Sequence, residues 1–217
     1  MLRRFKIIDG TYIEKIHGQK RFAFGISDSA DFYDLAEYCE NGEYKGQNIR
    51  FYDLTNGDVY IPFNLKRNVV YDKPVYFDGN YYFMRGDFDE QAVTLYRYIP
   101  GKEPEIIEEF GFEEADLYNF RIMGEGIHVV SQNDIFRCYY PEKFSLELGE
   151  HESVIYIDDE KVYCQEWIEE GWDTENDCAT ENYKCYDNLV IRDFEGNIIS
   201  KEIGSLYQDD DGTWWLA

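Results

Sequence analysis

The chain has 217 residues, of which 45 are Asp or Glu and 21 are Lys or Arg, so its formal net charge is −24. A field of this sign repels phosphate backbones and anionic bilayers, and we therefore expect neither nucleic acid nor a membrane as a partner. Aromatic residues make up 18% of the chain, which favours pleated strands. The length suffices for one buried core, so we expect a single domain over residues 1–217.

The five cysteines have neither the spacing of a disulfide framework nor that of a metal site. No long apolar run follows the charged N-terminus, so we expect neither a signal peptide nor a membrane-spanning helix. Reduced thiols without an export signal indicate a cytoplasmic protein. The sequence has no phosphate loop and no dinucleotide-binding fingerprint, and we expect no cofactor.

A short strand-and-turn motif recurs five times along the chain. Each copy opens with a large apolar residue, has another apolar residue three positions later, and then breaks at a turn. The copies begin at Phe5, Phe51, Tyr96, Phe136 and Ile191. A motif that repeats at intervals of this size is typical of stacked supersecondary units.

Two further strands are predicted before the later copies of the motif. Residues 74–77 and 80–84 flank Asp78-Gly79, a dipeptide that favours a type I′ hairpin because both of its residues tolerate positive φ. Similar strand pairs precede the copies at Phe136 and Ile191, and alternating residues follow several copies. Four antiparallel strands in each unit is the pattern of a propeller blade.

The two ends of the chain complement each other in this pattern. The C-terminal part of the chain is predicted to form the first two strands of a blade, at residues 205–207 and 213–216. The N-terminal part is predicted to form the third and fourth strands, at residues 4–8 and 11–16. The chain thus resembles the repeats of five-bladed β-propellers over its whole length, without the signature of a particular propeller family. The resemblance implies an all-β, five-bladed β-propeller in which strands from both termini close one blade.

Residues 31–40 fit two kinds of element. The blade pattern requires a strand here, paired beside residues 22–26, and we predict a strand. The alternative is a helix, because Phe32, Leu35 and Cys39 also follow a helical stripe.

A column of basic residues occupies the same place in four of the five motif copies: Lys6, Arg97, Arg137 and Arg192. We predict that each stem packs between blades and that each charged head meets a carboxylate of the neighbouring blade. A common anionic ligand is the alternative interpretation.

Two acidic runs, residues 173–177 and 209–212, offer oxygen ligands, but neither matches a calcium-loop spacing. We interpret both as solvated hairpin tips. Zinc binding by His151 with Cys164, Cys178 or Cys185 is disfavoured because the thiol spacings match no zinc site, and we expect no metal.

The predicted function is a non-catalytic binding or interaction module of unknown ligand. An insertion at residues 169–185 lengthens one hairpin loop and carries Trp172 and Asp173, while Asp209 lies in a second acidic turn. A Trp in a polar loop is a typical anchor for a partner, so these three residues are the candidate ligand-binding set. The expected partner is an unidentified protein or glycan, and we expect the chain to be a monomer.

The alternative function also follows from the resemblance, because some five-bladed propellers are lectins and others are glycoside hydrolases. Hydrolysis needs two carboxylates that face each other across the scissile bond. Asp72, Asp116 and Glu152 precede predicted inner strands and are the candidate catalytic residues.

Overall fold

The structure, a computed structural model, describes residues 2–41, 43–158 and 160–217. Its regular elements are β-strands and one helix, so the predicted all-β class is confirmed. The strands form five separate antiparallel sheets. By its internal contacts the chain divides into two compact units: unit 1 comprises residues 1–122 and 210–212, and unit 2 comprises residues 123–209 and 213–217.

Unit 1 contains two sheets. The strands of sheet 1 lie in chain order: β1 (Glu14–Lys15), β2 (Phe22–Ile26), β3 (Ile49–Asp53) and β4 (Val59–Tyr60). Sheet 2 has five strands: β5 (Val69–Tyr71), β6 (Val75–Phe77), β7 (Asn80–Asp87), β8 (Ala92–Tyr98) and β9 (Glu105–Gly111). Both β5 and β6 pair with β7, and β8 and β9 follow β7 in the sheet.

Aromatic side chains form the core of unit 1. Phe51 on β3 and Phe83 on β7 are both fully buried. The ring centroid of Phe83 lies between 5.7 and 6.2 Å from those of Phe51, Phe63, Tyr71, Tyr96 and Tyr98. Tilted, edge-on and offset-stacked ring pairs contribute about 0.5–1.5 kcal/mol each beyond the burial of apolar area. The aromatic side chains around Phe83 therefore form one continuous cluster in the core of unit 1.

The Asp78-Gly79 hairpin is confirmed. These two residues connect β6 to β7, and Phe77 pairs with Asn80 directly across the turn. Their φ angles are 43° and 78°, so both residues adopt the left-handed conformation that a type I′ turn requires.

Residues 31–40 form the helix α1 (Phe32–Asn41), so the predicted strand at this position is wrong. The N-terminus of α1 is capped reciprocally. The Asp34 N–H donates to the Asp31 carboxylate at 2.9 Å, and the Asp31 N–H donates to the Asp34 carboxylate at 3.2 Å. Such a capping box satisfies two of the N–H groups that a helix start leaves unpaired.

Packing also favours the helix. Phe32 and Leu35, three positions apart, are both buried in α1. A strand would instead place Asp34 on the same face as Phe32, because alternate residues share a face. β2 pairs directly with β3, so sheet 1 needs no strand from this segment. The side chains of residues 37–41, including Cys39, lie outside the part of the chain that the structure describes.

Unit 2 contains sheets 3, 4 and 5, and the boundary between the units falls inside β10. Sheet 3 consists of β10 (Arg121–Met123), β11 (His128–Gln132), β12 (Ile135–Tyr140) and β13 (Phe144–Glu147). Sheet 4 consists of β14 (Glu152–Ile157), β15 (Val162–Asp173), β16 (Cys178–Arg192) and β17 (Ile198–Ile203). Sheet 5 is the hairpin of β18 (Leu206–Gln208) and β19 (Trp214–Leu216). Sheets 3 and 4 keep the order of the chain.

The predicted five-bladed propeller is wrong, because the strands form five separate sheets and the termini do not complete a shared blade. Residues 4–8 form no strand, and β18 and β19 stand as a sheet of two. The Lys6 N–H donates instead to the Gly57 carbonyl at 2.8 Å, in the turn before β4. Gly57, with φ of +79°, allows this approach, since a Cβ there would lie 2.9 Å from the Arg4 carbonyl oxygen.

The repeated motif itself has a structural counterpart within the sheets. The copies at Phe51, Tyr96, Phe136 and Ile191 begin within β3, β8, β12 and β16. Each of these strands is third in the order of its four-strand path. The motif therefore marks a position within a sheet, although it does not determine how the sheets assemble.

Candidate functional site

Asp72 directly follows β5, and the pKa of its carboxyl group is raised. Its carboxylate accepts hydrogen bonds from the Lys73 N–H at 2.7 Å and from the Ile122 N–H at 3.2 Å. Burial raises the pKa of Asp72 to about 6, against the smaller opposite effect of these two N–H groups and of Arg121. Removal of a carboxylate from water disfavours its charged form. The ionised Asp72 side chain therefore lowers the stability of the folded protein at neutral pH.

We expect Asp72→Asn to stabilise the protein more at neutral pH than in mild acid. A carboxyl group whose pKa is raised on folding contributes stability below its unfolded pKa, and that stability is lost as the pH rises through about 6. Relative to wild type, the variant should gain about 2 kcal/mol between pH 4.5 and 7.5. Urea unfolding of both proteins at the two pH values measures this gain. A difference that does not change with pH would show that Asp72 ionises normally.

The other two candidate catalytic carboxylates have structural partners. Asp116 accepts a hydrogen bond from the Tyr118 N–H at 3.0 Å, which is a local turn contact. Glu152 is buried, and both of its oxygens accept hydrogen bonds from Arg192 at 2.8 Å. Burial alone would raise the pKa of Glu152, but Arg192 and the Gly149 N–H hold it below its usual value. A carboxylate engaged in this way stabilises sheet 4 and is unsuited to proton transfer.

For Arg97 and Arg192, the interpretation of the basic column as links between neighbouring blades is wrong. Arg97 on β8 pairs with Glu105 on β9 at 2.6 Å, and both side chains belong to sheet 2. Arg192 and Glu152 both belong to sheet 4. These cations neutralise carboxylates of their own sheet, which follows from the proximity of side chains on neighbouring strands.

The predicted ligand-binding carboxylates shape turns. Asp173 accepts hydrogen bonds from the Asn176 side chain and from two backbone N–H groups, and these donors lower its pKa. Asp209 accepts from the Thr213 N–H at 3.0 Å and from the Trp215 Nε1–H at 2.8 Å. Both carboxylates therefore stabilise the hairpin tips that the sequence places there.

The thiols and His151 do not gather into a ligand set within the described residues, where no group of three metal-ligating side chains occurs. Cys164 is buried on β15, and burial raises its pKa to about 12. Cys178 and Cys185 are exposed on β16. The imidazole of His151 packs edge-on against Trp167, with 5.7 Å between ring centroids.

The insertion at residues 169–185 extends the strands β15 and β16 themselves. Within sheet 4, these strands bury Val162, Cys164, Leu189 and Val190. Beyond them the two strands continue as a two-stranded antiparallel ribbon in which no residue is buried. We define the ribbon as residues 167–187, from Trp167 to its register partner Asp187.

A bulge fixes the geometry of the ribbon. The register shifts between Glu170 and Trp172, at Gly171, whose φ is +75°. A Cβ at Gly171 would lie 2.8 Å from the backbone of Asn182, so the position requires glycine. The hydroxyl of Thr180 donates to the Gly171 carbonyl at 2.8 Å and holds the bulge.

One side of the ribbon carries an aromatic surface. The Trp172 ring meets the Tyr183 ring edge-on at 5.9 Å, and the Tyr183 hydroxyl donates to Glu169 at 2.8 Å. Trp167 lies on the same side as Glu169 because alternate residues of a strand share a face. Trp167 and Trp172 are 42% and 41% exposed. We call Trp167, Glu169, Trp172, Tyr183 and Asp187 the aromatic face.

Sequence reasoning identified Trp172 but missed Trp167 and Tyr183. Their signal was present only in part, since aromatic and acidic residues occur close together in and beside the insertion but follow no regular alternation. What the sequence lacked was the register that places these residues on one side. Only the pairing of Trp167 with Asp187 and of Glu169 with Cys185 defines it.

Comparison with known proteins gave no match: no family model, no curated protein and no solved structure matched the chain. Within the described residues, no helix is long and apolar enough to cross a bilayer.

Proposed function

We propose that this protein is a non-catalytic binding module that holds a partner protein through the ribbon. The observation that supports this function is the ribbon itself, which continues β15 and β16 past the core of sheet 4 without burying a residue. Such an extension adds nothing to the core of unit 2. Its exposed indoles are side chains of the kind that dominate the energy of protein interfaces.

The ribbon suits recognition because its conformation is prepared in advance. The bulge at Gly171, the Thr180 contact and the tyrosine–carboxylate pairs hold the side chains before a partner arrives. Few side chains of the ribbon then lose conformational freedom when a partner binds, and this lowers the entropic penalty of association.

A protein partner fits the ribbon better than a glycan. Trp172 and Tyr183 meet at an interplanar angle of 64°, so they do not form one flat platform for a sugar ring. Of the three candidate catalytic carboxylates, Glu152 does not favour hydrolysis either, since Arg192 holds it. The proposed module therefore works by contact alone.

The test is a ribbon-shortened variant in which residues 168–186 are replaced by Asn-Gly. This turn joins the register partners Trp167 and Asp187, and the melting temperature should stay within about 2 °C of wild type because no buried side chain is lost. Quantitative affinity capture from the source cells should recover a partner with wild type and lose it with the variant. The exposed-indole variant Trp215→Ala is the matched control and should retain the partner.

Two outcomes would contradict the proposal. One is recovery of the same proteins, in the same amounts, with the wild-type and ribbon-shortened chains. The other is a specific turnover activity that survives shortening of the ribbon and is lost on substitution of Asp72.

A further inference from the structure

The ribbon has a pronounced charge imbalance. Its residues 167–187 include seven carboxylates and a single cation, Lys184. Lys184 pairs in register with Glu170, which lies on the side opposite Glu169. The aromatic face therefore presents Glu169 and Asp187 without a lysine or arginine of the ribbon on the same side.

From this charge and geometry we infer that the ribbon's partner is an extended segment bearing arginine residues, bound across the aromatic face. The inference rests on the proposed function and adds the chemistry of the partner. The exposed indoles would contribute to binding as well as the carboxylates, because the quadrupole of an indole ring attracts a cation that lies over its face.

Arginine suits this face better than other side chains. Its planar guanidinium can stack on an exposed indole while its N–H groups bond a carboxylate bidentately. Trp167 lies two residues from Glu169 on the same strand and directly across from Asp187. A guanidinium stacked on Trp167 thus has two carboxylates, those of Glu169 and Asp187, at neighbouring positions of the ladder.

The spacing favours an extended partner. Side chains on one face of a strand repeat every two residues, which is about 7 Å. A peptide in extended conformation presents alternate side chains at the same interval, so arginines at every second position match the pattern of the face. The side chains on one face of a helix repeat about every 3.6 residues, so a helical partner would not match this interval.

The experiment titrates the protein with a capped octapeptide of alternating arginine and serine, followed by NMR. The chain has four tryptophans, so four indole N–H signals report on binding, and single Trp→Phe variants assign them. The signals of Trp167 and Trp172 should shift on titration, and those of Trp214 and Trp215 should stay. The same peptide with citrulline in place of arginine should not bind, and the lysine version should bind more weakly.

Matched variants separate the aromatic face from the general negative charge. The double variant Trp167→Ala/Trp172→Ala should bind the arginine peptide about tenfold more weakly, whereas Trp215→Ala should bind it as wild type does. Glu169→Gln/Asp187→Asn should also weaken binding. Glu108→Gln/Glu109→Gln on β9 removes two exposed charges outside the ribbon and should have less than a twofold effect.

Three results would overturn the inference: equal binding by the Trp double variant, equal binding of the citrulline peptide, or no binding of the arginine peptide at millimolar concentration. If the peptide fails while the ribbon-shortened variant still loses its cellular partner, the partner chemistry is wrong and the proposed function stands. If that variant keeps its partner, the proposed function fails as well.

Discussion

Replacement of Phe83 by alanine is expected to lower the free energy of unfolding by about 3–5 kcal/mol. Phe83 is fully buried, and its ring contacts five other aromatic rings in the core of unit 1. Truncation removes the burial of the ring and leaves a cavity that the surrounding rings fill only in part. A loss of this size is a large part of the 5–15 kcal/mol that typically stabilises a domain.

The matched control is Phe77→Ala. Phe77 belongs to the same sheet but is 37% exposed, so its truncation should lower the free energy of unfolding by about 1 kcal/mol or less. Denaturant unfolding at neutral pH compares the two variants. If both had the same small effect, Phe83 would not lie in a packed core.

The second large effect is expected at the buried pair of Glu152 and Arg192. Their side chains are 2% and 13% exposed, and two hydrogen bonds of 2.8 Å join them. Glu152→Gln leaves the Arg192 charge buried without its counter-ion, which typically costs about 3–5 kcal/mol. Glu105→Gln breaks the exposed pair with Arg97 and should cost less than about 1 kcal/mol.

The stability loss caused by Glu152→Gln should depend on pH. The pKa of folded Glu152 is lowered, so the pair stabilises the protein above the unfolded pKa of a glutamate, about 4.3. This contribution is lost as the pH falls through the folded pKa. The stability difference between wild type and Glu152→Gln should therefore be largest at neutral pH and should narrow below about pH 4. A difference that is the same at pH 3 and pH 7 would contradict the assigned pairing.

Local structure was largely predictable from the sequence, because its signals lie close together along the chain. Asp78-Gly79 predicted the β6–β7 hairpin, and four copies of the repeated motif predicted the strands β3, β8, β12 and β16. The helix α1 was missed although its capping pair, Asp31 and Asp34, is visible in the sequence. Phe32 also packs within 3 Å of where a Cβ on Gly86 would lie, and this distant contact leaves no local signal.

Assembly could not be predicted, since it depends on contacts between distant segments. The termini looked complementary, yet residues 4–8 contact the turn at Gly57 and form no strand with β18 and β19. The same limit applies to Glu152, whose place before an inner strand suggested catalysis. Its partner Arg192 is 40 residues away in the chain.

The candidate site was predictable in part. The insertion and Trp172 were visible as an aromatic residue in an acidic segment, but this segment was expected to be a loop. The pairing of β15 with β16 as far as Asp173 and Cys178 turns it into an ordered ribbon. That order is what makes Trp167, Trp172 and Tyr183 one surface.

The proposed binding role is tested most directly by hydrogen exchange of the chain, measured by mass spectrometry, with and without the partner recovered by affinity capture. Amides of residues 167–187 should exchange at least about tenfold more slowly in the complex, because binding shields the ribbon and suppresses its local opening. Protection confined to other segments, with the ribbon exchanging as in the free protein, would contradict a binding role for the ribbon.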